Sequence, residues 1–211
     1  MNYEINPINP ADIECVIFDF GFTLSSDVYV NVAPPGYPDW QALIQQRIFS
    51  NEALVDHWMA GAVTIHDIAG ELAPIVDMEI AGIVSYLELG CQNLNFNEAV
   101  WGFAMQQRAA GRKTAIVTGN MDVFTKVVVP CHKLGERFDV IINSFDYGVI
   151  DKNMLWPKAF EILGNGMGYR QSLLIEDGAN NVRKFRANGG YAHQYENDEL
   201  FLSWLEAVKW Q

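Results

Sequence analysis

Three short apolar runs in this chain end in groups able to do chemistry. Cys15–Phe18 (CVIF) runs into Asp19, and Thr114–Val117 (TAIV) runs into Thr118, Gly119 and Asn120. Ser172–Ile175 (SLLI) runs into Glu176 and Asp177, and Lys152 stands in the segment before it. An aspartate nucleophile, a hydroxyl and a lysine to hold an anion, and a further carboxylate for a metal suit phosphoryl transfer through an aspartyl intermediate. Mg²⁺ takes oxygen ligands, and paired carboxylates plus a substrate phosphate suit it. The plainer reading of Asp19 is a turn cap, since Asp and the nearby Gly21 both punctuate loops.

What brings such groups together is a parallel sheet. A continuous apolar run bounded at once by polar residues reads as a strand buried on both faces, and ligands gather at the carboxyl ends of such strands. After Arg108 the pattern alternates. Strands at Thr114–Val117, Phe138–Ile142, Ser172–Ile175 and Tyr191–Gln194 are separated by helices at Met121–Val129 (stopped by Pro130), from Pro157 to Leu163, and at Ala179–Asn188, with a last helix at Asp198–Trp210. Pro157 is taken as a first-turn proline. Residues 2–12 read as a lead-in. Residues 31–39 (NVAPPGYPD) read as a loop, and Trp40 to Ala110 as five helices, with Ser50 or Asn51, Thr64 and Asn97 as N-caps. The expected fold is therefore a Rossmann-like α/β core, residues 1–24 and 108–211, with a helical cap domain at 25–107 inserted between its first two strands.

Half of the 211 residues are hydrophobic, enough for a substantial core, and the net charge is -12. That charge, with no basic stripe, argues against nucleic acid and against an anionic membrane. The start lacks the basic and apolar regions of a signal peptide, and no segment reads as a membrane span. Cys15, Cys91 and Cys131 show no paired spacing and read as small buried residues in a reducing compartment. The expectation is a soluble cytoplasmic protein with a small-molecule partner.

In four motifs, in order, the chain resembles the haloacid dehalogenase-like (HAD) superfamily of hydrolases with a helical cap after the first strand. Asp19 in FDFGFTL matches the nucleophile, Thr118 in AIVTGN the hydroxyl of the second motif, and Lys152 with Pro157–Phe160 the third. Asp177 in LLIEDGANNV matches the metal-binding acid of the fourth, and Asn181 a further polar position. The resemblance implies Mg²⁺ held by Asp19, the Gly21 carbonyl and Asp177, and a phosphate ester bound by Thr118, Gly119, Asn120 and Lys152. Lys158 rivals Lys152; the latter is preferred as a loop lysine free to reach inward.

Two departures shape the reading. Gly21 replaces the second aspartate that protonates the leaving oxygen in family phosphatases, so Glu176 or a cap residue must supply the proton, or the leaving group must need little. Phe22 stands where glycine is common. Because halide leaves without a proton, a metal-independent 2-haloacid dehalogenase is the alternative. Arg47, the only Lys or Arg between Ser25 and Gln107 in a block with ten acids, would then steer the substrate carboxylate or, more plainly, pair on the surface. A third reading is a catalytically weak ligand-binding relative. The GNGMG run at 164–168 follows a helix, so it is a loop rather than a dinucleotide fingerprint, and His57, His66, His132 and His193 lack metal-ligand spacing. Trp40, Trp58 and Trp101 read as core, and Ser25, Ser26 and Asp27 as either cavity mouth or linker.

Overall fold

A computed structural model describes residues 8–27 and 29–210; of the lead-in, residues 2–7 lie outside it. Five strands form one parallel sheet: β1 (Cys15–Phe18), β2 (Lys113–Thr118), β3 (Val140–Asn143), β4 (Ser172–Glu176) and β5 (Tyr191–Gln194), in the order β3-β2-β1-β4-β5. β1 is central, with Phe18 opposite Ile116 of β2 and Ile175 of β4. All four residues of β1 are buried, as a strand covered on both faces requires.

Side-chain alternation splits the apolar residues between two layers. Val16, Phe18, Ile116, Leu173 and Ile175 enter one cluster; Cys15, Ile17, Ala115, Val117 and Leu174 enter the other. The second layer is closed by α9 (Lys152–Leu163) and α10 (Ala179–Ala187), where Trp156 meets Phe185 edge-on at 5.0 Å. The first is closed by α5 (Glu98–Ala109) and α11 (Asp198–Ala207), whose Phe103 and Phe201 meet at 5.5 Å, Phe103 also facing Phe18 at 6.2 Å.

Four helices precede α5: α1 (Trp40–Ile44, continued by a π turn over Gln45–Phe49), α2 (Glu52–Met59), α3 (Ile65–Leu72) and α4 (Ile80–Gln92). Asn51 caps α2 by accepting from Leu54 N, and Thr64 and Asp67 form a capping box at α3. Asn97 flanks α5 without a side-chain cap bond; its amide donates to Thr23 O instead, at 2.7 Å. These helices leave and rejoin the sheet through a narrow neck. Asn97 N donates to Leu24 O, Ser26 N to Asn95 O, and Asp27 Oδ2 accepts from Asn95 N at 2.7 Å and Nδ2 at 2.8 Å. Ser25, Ser26 and Asp27 are thus neck residues. Helix α5, grouped by sequence with the insertion, lies beyond the neck and rests on the sheet. Trp40, Ile44, Trp58 and Ile68 of the inserted helices belong to the same apolar cluster as Phe18.

Three expectations fail on proline and cysteine. The helical turns after β2 run through Pro130: a π turn over Phe124–Val128 leads into α6 (Val129–Cys131), with Val129 N bonded to Phe124 O, five residues back. The wider turn spares the proline ring the clash an α-helical carbonyl would impose. Pro157 lies inside α9, which starts five residues earlier because Asp151 caps it by accepting from Asn153 N. Cys131 is exposed, whereas Cys15 and Cys91 are buried. Two short helices, α7 (Leu134–Arg137) and α8 (Ser144–Tyr147), flank β3. Among the described residues, no helix is long and apolar enough to cross a membrane.

Candidate active site

The central strand sets the site. β1 ends one residue before Asp19, whose N–H still joins the sheet by donating to Ile175 O at 3.0 Å. Asp19 Oδ1 accepts from Phe20 N at 2.8 Å, and Oδ2 pairs with Lys152 Nζ at 2.8 Å. The same ammonium donates to Glu176 Oε2 at 2.7 Å. Asp19, Lys152 and Glu176 are all buried. Lys152 is therefore the lysine of the site, but it is the first residue of α9 and not a loop residue; Asp151 aims it inward by capping the helix. Lys158, one turn and a half further on, is exposed.

Asp177 is half-buried on the next strand tip. Its N–H donates to Thr23 Oγ1 at 3.1 Å, and that hydroxyl donates to Asp177 Oδ1 at 3.4 Å. Thr23 belongs to the turn after Asp19, in which Thr23, Leu24 and Ser25 N–H all converge on Phe20 O. Gly178 leaves room for Glu176: a Cβ there would lie 2.9 Å from Glu176 Oε1, which accepts from Gly178 N at 3.1 Å, and would push that carboxylate aside. One oxygen each from Asp19, Glu176 and Asp177 lies within 4.8 Å of the other two.

The electrostatics of this cluster are unbalanced, with three carboxylates to one ammonium. Burial and the Asp19 charge push the Glu176 carboxyl up to about 7, although Lys152 works against the rise. Burial and Asp19 also raise Asp177. For Lys152, burial opposes the charge, but Asp19 and Glu176 outweigh it and raise the ammonium above its ordinary value. A hard divalent cation would offset the two excess negative charges, and three carboxylate oxygens are the donors such an ion prefers.

At the neighbouring tip, Thr118 is buried and its hydroxyl has no hydrogen bond to a described residue, while Gly119 has open space where a Cβ would be. Asn120 is already engaged. Its Oδ1 accepts from Met121 N at 2.9 Å, and its Nδ2 donates to Tyr29 Oη at 2.6 Å. Burial holds that phenol well above its ordinary range, and Asp19 adds to the rise. Ser144 Oγ accepts from Asn120 N at 2.9 Å and donates to Met59 O at 2.8 Å, tying this loop to α2. Arg47 is exposed on the π turn after α1, and nothing joins it to the Asp19 cluster among the described residues. Gly21 lies in the turn beside Ser25.

Sequence reasoning missed Thr23, Tyr29 and Ser144. It also missed Asp122, a wholly buried carboxylate just past the second tip. Asp122 accepts from Trp58 Nε1 at 2.7 Å, Ile65 N at 3.2 Å and Lys126 Nζ at 3.0 Å, so it fastens α2 and α3 to the sheet side of the molecule. Only the Asp122–Lys126 spacing, four residues on a helix, could have hinted at it.

No family model matches the sequence, and no curated protein matches it. Solved structures do. A predicted HAD-like family hydrolase from Porphyromonas gingivalis superposes with a TM-score of 0.67 at 15% identity, over 94% of this chain and 98% of that one. The chain has the HAD-like fold. A second HAD-like structure, a HAD family enzyme from Bacteroides thetaiotaomicron in complex with magnesium and inorganic phosphate, gives a TM-score of 0.61 at 10% identity, over 87% and 94% of the chains. The L-2-haloacid dehalogenase from Xanthobacter autotrophicus gives 0.64 at 16%, over 94% and 84%. A magnesium and phosphate complex and a haloacid dehalogenase thus both occur on this HAD-like fold.

Proposed function

We propose that the chain is a hydrolase of the HAD superfamily, a Mg²⁺-dependent phosphatase of a small phosphorylated metabolite. The observation that carries this reading is the charge imbalance at the strand tips: Asp19, Glu176 and Asp177 share one space with a single ammonium, that of Lys152. Phosphatase chemistry uses the cation that such a cluster invites. Dehalogenation does not.

In this reading Asp19 attacks phosphorus, the ester P–O bond breaks, and an aspartyl phosphate forms on Asp19. Lys152 has three N–H donors; Asp19 and Glu176 take two, and the third is free for a phosphoryl oxygen, with the Thr118 hydroxyl as a second donor. Asp19, Asp177 and the Gly21 carbonyl would hold Mg²⁺, which when bound supplies charge neutralisation to the phosphoryl oxygens. Gly21 has no acid to give. Glu176, pushed up to about 7, is the group in the cluster suited to hold a proton near neutrality for the leaving oxygen. Water then hydrolyses the aspartyl phosphate and restores Asp19. The inserted helices, residues 25–107 with α5 in the sequence reading, exclude bulk water and select the substrate.

A second reading, a metal-independent 2-haloacid dehalogenase, draws on the missing acid at Gly21 and on the likeness to the Xanthobacter autotrophicus enzyme. A panel of small phosphomonoesters and 2-haloacids, with Mg²⁺ and with EDTA, tests both. Phosphate release lost in EDTA and in Asp19→Asn supports the first. Halide release that survives EDTA establishes the second. Binding without turnover on either panel leaves a catalytically weak ligand-binding protein.

A further inference from the structure

Phe22 is held in a strained backbone conformation that the packing of its side chain does not offset. Its φ is 56°, in the left-handed region where a Cβ is strained, and a bulky residue there is a genuine outlier. The residue is 59% exposed, so the strain is not offset by burial, and its ring joins none of the ring–ring contacts among the described residues. Glycine would suit this backbone better. The neighbours are the working parts of the site. Asp19 lies three residues before, and Thr23, next in the chain, is hydrogen-bonded both ways to Asp177. The same turn is pinned by three N–H groups on Phe20 O, which fixes the backbone from which the ring projects. Strain kept beside reacting groups, with an apolar ring facing solvent, points to a partner that arrives with the substrate.

We infer that Phe22 is a specificity-determining residue that packs on the leaving group, and that the site favours phosphate esters whose leaving group carries a ring over acyclic ones of equal charge. This rests on the reading of Asp19 as the centre of a phosphate-ester site. Ring-on-ring contact of this kind is worth about three- to tenfold in selectivity.

The test compares kcat/KM for benzyl phosphate and ethyl phosphate, whose alcohols differ little in acidity, in wild type, Phe22→Ala, Phe22→Gly and Phe22→Trp. The expected result is a benzyl preference in wild type that falls three- to tenfold in Phe22→Ala and Phe22→Gly and persists in Phe22→Trp. Thermal melts run alongside should show Phe22→Gly at least as stable as wild type, because φ is relieved. An unchanged preference in Phe22→Ala overturns the inference, as does a wild type with no preference. Binding of benzylphosphonate against ethylphosphonate, with Mg²⁺, separates this from the reading it rests on. If wild type hydrolyses neither ester but binds the benzyl compound more tightly through Phe22, the phosphatase assignment fails and the ring contact stands. If neither phosphonate is preferred, the ring contact fails whatever the turnover.

Discussion

Two buried carboxylate sites lie at neighbouring strand tips, and they differ in their bookkeeping of charge. At Asp122, one carboxylate receives two neutral N–H donors and one ammonium, so its charge is matched and its oxygens are occupied. At Asp19, three carboxylates crowd one ammonium, and two of the three acids are pushed upward. A satisfied buried charge is a fastener. An over-charged cluster destabilises the folded chain unless a cation completes it, and proteins retain such clusters where chemistry is done.

Substitution should separate the two. If Asp19 is the nucleophile as proposed, Asp19→Asn should lower phosphatase kcat by about 10⁴-fold or more while the protein stays folded, because the change also relieves repulsion; a steady-state assay with a melting curve reads both. Asp122→Ala should do the reverse. It strands the buried Trp58 indole and Ile65 amide donors and should cost about 2–5 kcal/mol in urea unfolding, with kcat of the folded protein changed only a few-fold. A full loss of kcat in stable Asp122→Ala would erase the distinction.

Cation binding sharpens it further. Mg²⁺ at a hundredfold excess over its Kd should stabilise wild type by about 2.7 kcal/mol, and Asp122→Asn equally, but should not stabilise Asp177→Asn. Isothermal unfolding with and without Mg²⁺ checks this. A further effect lies at neither site. His193 stacks on Trp204 at 4.0 Å, and burial, with the Arg186 charge behind it, lowers its imidazolium to about 4. The unfolded chain therefore binds the proton more readily. Stability from this residue is complete above about pH 6.5 and drains away as pH falls toward 4. His193→Gln should flatten that part of a Tm-against-pH curve.

The strands were largely legible because parallel strands buried on both faces leave unbroken apolar runs; β1 and β5 fall where the residues alone put them. The place of Asp19 followed from the sheet rule, since it lies at the carboxyl end of β1; Lys152 reaches it from the start of α9. What could not be read was set by distant partners. Trp58 and Ile65 lie 64 and 57 residues from the Asp122 they bind, and Thr23 lies 154 from Asp177. Nothing in NMDV or FGFTL announces those contacts. The start of α9 differs from the sequence expectation for a local reason: Pro157 suits a first turn, but Asp151 caps the helix and starts it five residues before Pro157. The π turn before Pro130 has no sequence signature, so the proline there looked terminal.

The inserted helices and the sheet share one apolar cluster, and this limits how a molecule can reach Asp19. Swinging those helices aside as a rigid flap would bare Trp40, Ile44, Trp58 and Ile68, at about 1.5–3 kcal/mol for each side chain. Access to Asp19 should therefore not require the helices to detach from the sheet. Calorimetry should record a single endotherm, because the roof and the floor melt together.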